Sequence, residues 1–355
     1  MSVTPESIED LSPQERRELL ARLLREKTDG RKRCPLSFAQ ARLWVLDRFL
    51  PGNPTYNVPL PLRLPGRLDV RALERSLNEI VRRHETLRTT FEVEDGKPVQ
   101  VVAPSLDLKL EVIDLRRLPA AEREEAANRK VFEESAYSFD LAKGPLVRTT
   151  LIKLADTDHI FLVVMHHIIS DGWSMRVFYQ ELSTLYLVYC QGRPSPLAEL
   201  PVQYTDFTQW QAKRLSVEVL EQELSYWRSQ LAGLPPSLEL PTDRPRPPIQ
   251  SHRGALHAFS VDRQLLDGLQ ALGRAEGATT FMVLLAAFQL LLSRYSGTQD
   301  FAVGTPIAGR TRVELEGLIG FFVNTLVLRA DLSGDPSFRE LLRRVREVTL
   351  GAYAH

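Results

Sequence analysis

Apolar positions recur along this chain with two periods, and the first clear one is helical. Leu19, Leu20, Leu23 and Leu24 form a narrow stripe within Leu11–Lys27, which Ser12-Pro13-Gln14-Glu15 opens as a capping box with proline at the first helical position. Thr28–Arg33 is a polar break, so residues 1–34 read as a linker or docking helix. Ser37–Leu46, with Gln40, Arg42 and Trp44, predicts a short helix, Pro51–Pro54 a turn, and the segment to Leu64 alternates like a strand. Val70–His84 is amphipathic through Leu73, Leu77, Ile80 and Val81 and runs into Arg83–Phe91, where a strand begins. Strand signals follow at Val99–Val102 and Leu108–Ile113, and a charged helix at Ala120–Phe132. Ile160–Met165 is a continuous apolar run, read as a strand buried on both faces and paired with Leu146–Leu154. The result is a mixed sheet with helices packed on it.

A helix marked by Val177, Phe178, Leu182, Leu185 and Tyr186 comes next, and Tyr204–Trp210 opens another. Residues 231–254 break the composition with Pro235, Pro236, Pro241, Pro245, Pro247 and Pro248; such a segment is extended and reads as a crossover between lobes. The pattern then restarts: strand Ala255–Ser260, helix Arg263–Glu276, helix Thr280–Tyr295, strand Phe301–Pro306, strand Leu326–Ala330, and a last helix from Asp335. Phe281–Leu292 is too short for a bilayer and reads as a buried core helix. The fold class is α/β of the α+β type, in two lobes spanning 35–190 and 191–355.

Composition narrows the function only by exclusion. Of the 355 residues, 43% are hydrophobic and 25% charged, as in ordinary globular chains. Lys+Arg and Asp+Glu number 45 each, so no net field invites nucleic acid or an acidic membrane. The polar, acidic start lacks the order of a signal peptide, and Cys34 and Cys190 suggest no disulfide framework; a reducing cytosol is the simplest setting.

Candidate chemistry gathers where the Ile160–Met165 strand ends. His166 and His167 follow it, then a turn with Asp171 and Gly172, the glycine free to take backbone angles barred to other residues, and Ser174 as a helix cap. Strand alternation sends one imidazole into a cleft and the other beneath the sheet, and an imidazole there suits proton transfer near neutral pH. A buried, satisfied histidine pair is the plain alternative. A metal site would need a third ligand beside His167 and Asp171, and none lies nearby, so no metal is expected. A Ser-His-Asp hydrolase lacks its Gly-x-Ser-x-Gly elbow. Arg83 and Arg88 are each candidates to pair with a buried carboxylate; for either alone, a solvated charge at a helix end is the simpler reading.

Taken in order, Ser37–Leu46, Arg83–Phe91, Met165–Ser174, Tyr204–Trp210 and Ile319–Arg329 resemble five successive signature motifs of nonribosomal peptide synthetase condensation domains. The resemblance covers the chain from Pro35 onward. It implies two chloramphenicol-acetyltransferase-like lobes in a V with a tunnel between them, and an enzyme that joins two thioesters, each tethered by phosphopantetheine to a carrier domain. The acceptor amine attacks the donor carbonyl; no cofactor is held tightly, and an adenylation domain is expected beside the carriers in a larger synthetase. His167 corresponds to the histidine facing the reactants, as base or as positioner, with His166 beside it. Asp171 corresponds to a structural aspartate that holds the turn through an arginine, with Arg83 or Arg88 as the expected partner, Gly172 to an approach to the backbone, and Trp173 and Asn324 to supports of the tunnel. Leu50–Pro59 and Ile168–Met175 resemble the subtype joining an L-donor to an L-acceptor. An acyl-coenzyme A acyltransferase or an epimerisation domain would share the histidine turn but not the other motifs in this form, and a recruitment domain of the same fold would tend to degrade it. The family's next motif would begin at His355, so an incomplete second lobe is expected, with Phe338, Leu341, Leu342, Val345 and Val348 left uncovered.

Overall fold

The computed structural model describes residues 30–248 and 254–355; the predicted helix at Leu11–Lys27 lies outside them. Contacts divide the chain into two compact units, the first comprising residues up to Arg214 with Ala308–Val323, the second Leu215–Ile307 with Asn324–His355.

The first unit is built on two sheets. The larger has the order β2 (Asn57–Pro65), β7 (Asp158–His166), β6 (Val147–Ala155), β5 (Leu110–Asp114). Its pairs are antiparallel except β5 with β6. The smaller has the order β1 (Lys32–Pro35), β4 (Lys97–Val102), β3 (Thr89–Glu94). Strand β7 lies between β2 and β6 and is buried from His159 to His166, as its continuous apolar run requires. Register assigns its faces. Leu151 opposite Phe161 joins the main core with Leu77 and Ile80 of α2 (Val70–Arg83) and Phe178 and Leu185 of α4 (Gly172–Cys190). Ile152 opposite Ile160 turns the other way, to Ala127 of α3 (Ala120–Ser135). The site therefore hangs on the end of the best-covered strand.

Helix α1 (Phe38–Phe49) starts at Ser37, whose hydroxyl and Gln40 form a reciprocal capping box. Helix α5 (Tyr204–Arg214) packs within the first unit through Tyr204, whose hydroxyl lies 2.8 Å from Ser37 Oγ.

The second unit holds α6 (Val217–Gln230), α7 (Arg263–Ala275), α8 (Thr280–Ser296), the hairpin β8 (Asp300–Ile307) and β9 (Asn324–Asp331), and α9 (Phe338–Ala354). Three expectations change here. Ala255–Ser260 is not a strand: no partner strand completes its ladder among the described residues, and Leu256 and Phe259 are exposed. Helix α8 is not buried all round: Met282, Val283 and Ala286 face the hairpin and α9, while Phe281, Leu284, Phe288, Leu291 and Tyr295 are exposed. A helix apolar on every side supplies no polar face to mark which side meets its neighbours. Helix α9 is not left uncovered, since Leu341, Leu342 and Val345 are buried against α8 and β9, with Phe338 and Val348 packed beside them. Among the described residues no single helix is long and apolar enough to cross a membrane.

This packing separates two leucines. Leu342→Ala removes a fully buried side chain and is expected to cost about 2–5 kcal/mol, whereas Leu291→Ala on the open side of α8 should stay within about 0.5 kcal/mol. Urea unfolding of both variants checks this, and equal costs would contradict the assignment of the two faces.

Candidate active site

Strand β7 ends at His166, and the chain turns at once through a short 3-10 segment, His167–Ile169, into α4. The two imidazoles meet different surroundings. His166 is 3% exposed, between the rings of Tyr56 and Phe139, and its Nδ1 accepts the Ile168 amide at 3.1 Å. Burial, helped by the neighbouring His167, pushes its pKa down to about 4. His166 is thus a neutral structural acceptor. His167 is half-buried, edge-on to Phe321 with centroids 4.8 Å apart, and its Nδ1 lies 2.6 Å from the Ser170 carbonyl oxygen. A carbonyl only accepts, so Nδ1 carries the proton there, and in the neutral ring Nε2 keeps its lone pair.

Asp171 does not touch either histidine. It is the N-cap of α4: Oδ1 accepts from the Ser174 amide at 2.8 Å and lies 2.7 Å from the Ser174 hydroxyl. Ser174 is therefore the third residue of the helix and not its cap: the helix already starts at Gly172, and the Asp171 carboxylate takes the free amide of Ser174 itself. Oδ1 also pairs with Arg310 at 3.1 Å, and Oδ2 accepts from the Phe322 amide at 3.0 Å. The expected partners are elsewhere. Arg83 forms a buried fork with Glu181 at 3.0 and 3.1 Å, which leaves Arg82 as the solvated charge of that helix end, and Arg88 donates to the Ala103 carbonyl. Arg83 ends α2 and Arg88 lies in the short segment Glu85–Arg88 after it, whereas Arg310 is brought to Asp171 by the segment 308–323.

That segment is bound along its length to the first unit. Arg310 also donates to the carbonyls of Leu315 and Leu318, Trp173 Nε1 donates to the Glu316 carbonyl at 2.8 Å, and Thr86 to the Ile319 carbonyl at 3.0 Å. The Ile319 amide donates to His84 Nδ1, so His84 Nε2 holds the proton and donates to Glu181 at 3.1 Å. Gly320 donates to the Ser174 hydroxyl, and the Tyr204 hydroxyl donates to the Phe321 carbonyl at 2.6 Å. Two glycines permit this closeness. A Cβ on Gly320 would collide with the Tyr204 ring, and Gly309, at φ +65°, leaves no room for one beside the Phe322 carbonyl. Burial drives the Tyr204 phenol pKa up and that of Arg310 down from their ordinary values.

Gly172 differs from expectation. It is the first residue of α4, its φ is not positive, and a Cβ there would meet nothing within 4 Å. Its surface is exposed, with open space beside the helix N-terminus and no unusual backbone angle. Asn324 begins β9 in the second unit, exposed, its Oδ1 accepting from the Thr325 amide. Arg310 and the roles of Ser174 and Tyr204 escaped the sequence pattern; Gly309-Arg310, shortly after the strand predicted at Phe301–Pro306, was the available signal.

Two outcomes follow from this geometry. Asp171→Ala leaves the Arg310 guanidinium, 1% exposed, without its carboxylate and is expected to cost about 3–5 kcal/mol; calorimetric melting checks it, and an unchanged Tm would refute the pairing. His166 gives a pH signature. Its folded pKa, about 4, lies below the ordinary ~6.5, so the unfolded chain binds more protons between those values. Its contribution is whole above ~6.5 and falls with acidification towards ~4, by roughly 3 kcal/mol. His166→Asn, which keeps an acceptor for the Ile168 amide, should flatten that part of the stability–pH curve.

Comparison with known proteins fits this arrangement. The family model described as "Condensation domain" matches residues 31–355. One of the proteins that make up the linear gramicidin synthase of Brevibacillus parabrevis is 55% identical over 321 residues, which are 90% of this chain and 6% of that protein. The chain thus spans a small fraction of such a relative. The X-domain solved in complex with OxyB from teicoplanin biosynthesis is similar with a TM-score of 0.82 at 32% identity, over 91% of this chain and 70% of that one. The first condensation domain of the CDA synthetase gives 0.74 at 25% identity, over 91% and 76%. With five ordered motifs and a family match across the described fold, this chain belongs to the condensation-domain family.

Proposed function

We propose that this chain forms an amide bond between two thioesters carried on the phosphopantetheine arms of donor and acceptor carrier domains, with His167 as the residue that handles the proton. The observation that carries this reading is the hydrogen bond between His167 Nδ1 and the Ser170 carbonyl, which leaves Nε2 as the acceptor on a half-buried ring. The acceptor amine adds its lone pair to the donor carbonyl carbon, and the C–O π electrons move to oxygen. Nε2 takes a proton from the amine nitrogen. Collapse of the tetrahedral adduct expels the pantetheine thiolate, and the proton passes to that sulfur. A free α-amine has a pKa near ~8, so a positioned acceptor matters at neutral pH. The open approach at Gly172 brings the developing oxyanion near the first amides of α4, where the helix dipole favours negative charge. Asp171 acts at a distance from the reactants, through the turn that it holds.

Amine attack on a thioester is downhill, so no nucleotide and no metal are invoked. Adjacent carrier and adenylation domains in a cytoplasmic synthetase supply the two thioesters in this reading, and both reacting residues are L-configured, as the 50–59 and 168–175 segments suggest. Trp173, held to Glu316, and Asn324 are proposed as supports around the reactants. A second reading, recruitment of a partner protein, is favoured by the likeness to an X-domain solved with OxyB.

His167→Ala is expected to lower dipeptide formation from two loaded carriers by roughly a hundred- to ten-thousand-fold while Tm stays near that of the parent chain. Product is quantified from single-turnover reactions. Parent-like turnover by this variant would remove the catalytic reading and leave recruitment.

A further inference from the structure

A cavity of about 350 Å³ opens in the first unit between the start of β3, the end of β4 and the segment before β6. Among the described residues its lining includes three cations, Arg31, Arg88 and Lys143, and no carboxylate. Arg31 pairs with Glu92 at 3.6 Å and Lys143 with Asp140 at 3.0 Å, both in exposed positions. Arg88 is different. It is half-buried, its hydrogen bond goes to the Ala103 carbonyl, and its Nε is buried without a partner among the described residues. Arg83 and Arg310, also withdrawn from water around this sheet, each have a carboxylate, Glu181 and Asp171. Burial lowers the Arg88 pKa from its ordinary value.

We propose that this cavity binds a small organic anion, its carboxylate held by the Arg88 guanidinium and its short apolar body lodged against Val101, Leu106 and Pro145. A planar guanidinium with free N–H groups matches a carboxylate fork. The apolar wall explains why the occupant is an organic acid and not a bare inorganic ion, which would leave those side chains against water. The position is independent of the histidine turn, so binding needs no carrier domain and no turnover.

The test uses the 355-residue chain titrated with benzoate, with benzyl alcohol as neutral counterpart and inorganic phosphate as bare anion, followed by amide chemical shifts. Benzoate is expected to saturate with one site and to shift residues 88–90 and 142–145, with benzyl alcohol inert. Arg88→Gln should weaken benzoate about tenfold or more, the loss of a charge-assisted hydrogen bond, and Arg88→Lys less. Lys143→Ala, at an exposed position that leaves the fold undisturbed, should weaken it by a smaller factor and stands in if the Arg88 variants fail to fold. Failure to saturate by about 10 mM, equal binding of phosphate or benzyl alcohol, or benzoate affinity indifferent to both Arg88 and Lys143 would overturn the proposal.

Discussion

One buried carboxylate sets the geometry on which the candidate site depends. Asp171 ends the turn after the two histidines, caps α4, neutralises Arg310 and accepts the Phe322 amide. A carboxylate with both oxygens engaged by several donors is rigid, because moving it breaks bonds in different directions at once. Its chain neighbour Ser170 supplies the carbonyl that fixes the His167 ring, so rigidity at Asp171 passes to His167 through the backbone. The charge does not touch the imidazole. It keeps the ring's surroundings in place, including Phe321, whose carbonyl is tied to Tyr204.

The histidine pair shows how far surroundings decide chemistry. The two residues are identical and adjacent, yet one is sealed among aromatic rings and held neutral, while the other keeps one nitrogen committed and the other available. Strand alternation foresaw that they would part, although His167 parts from His166 by entering a 3-10 turn after the strand has already ended.

Local chemistry was legible in the sequence wherever period, cap or turn acts over a few residues. The strand at 160–165, the helices at 70–84 and 263–276, and the Ser37–Gln40 capping box are of that kind. Pairings over long separations were not legible. Asp171 and Arg310 are distant in sequence, and an arginine chosen by motif alone, Arg83, proved to answer Glu181 instead. Helix α8 illustrates a different limit: with apolar residues all around it, the pattern names a helix but not its buried side. Ala255–Ser260 has strand-like composition, but a strand exists only with a neighbour, which no local pattern supplies.

Residues 308–323 belong to the first unit, although β8 and β9 on either side belong to the second. The chain therefore visits the first unit twice, and the second visit brings Arg310, Phe321 and Phe322 to the histidine turn. Anyone who recombines such units cannot treat Arg214 as a simple joint. A chimera cut there would inherit the buried arginine of this pair from one parent and its aspartate from the other, so the inserted loop must travel with the unit it serves.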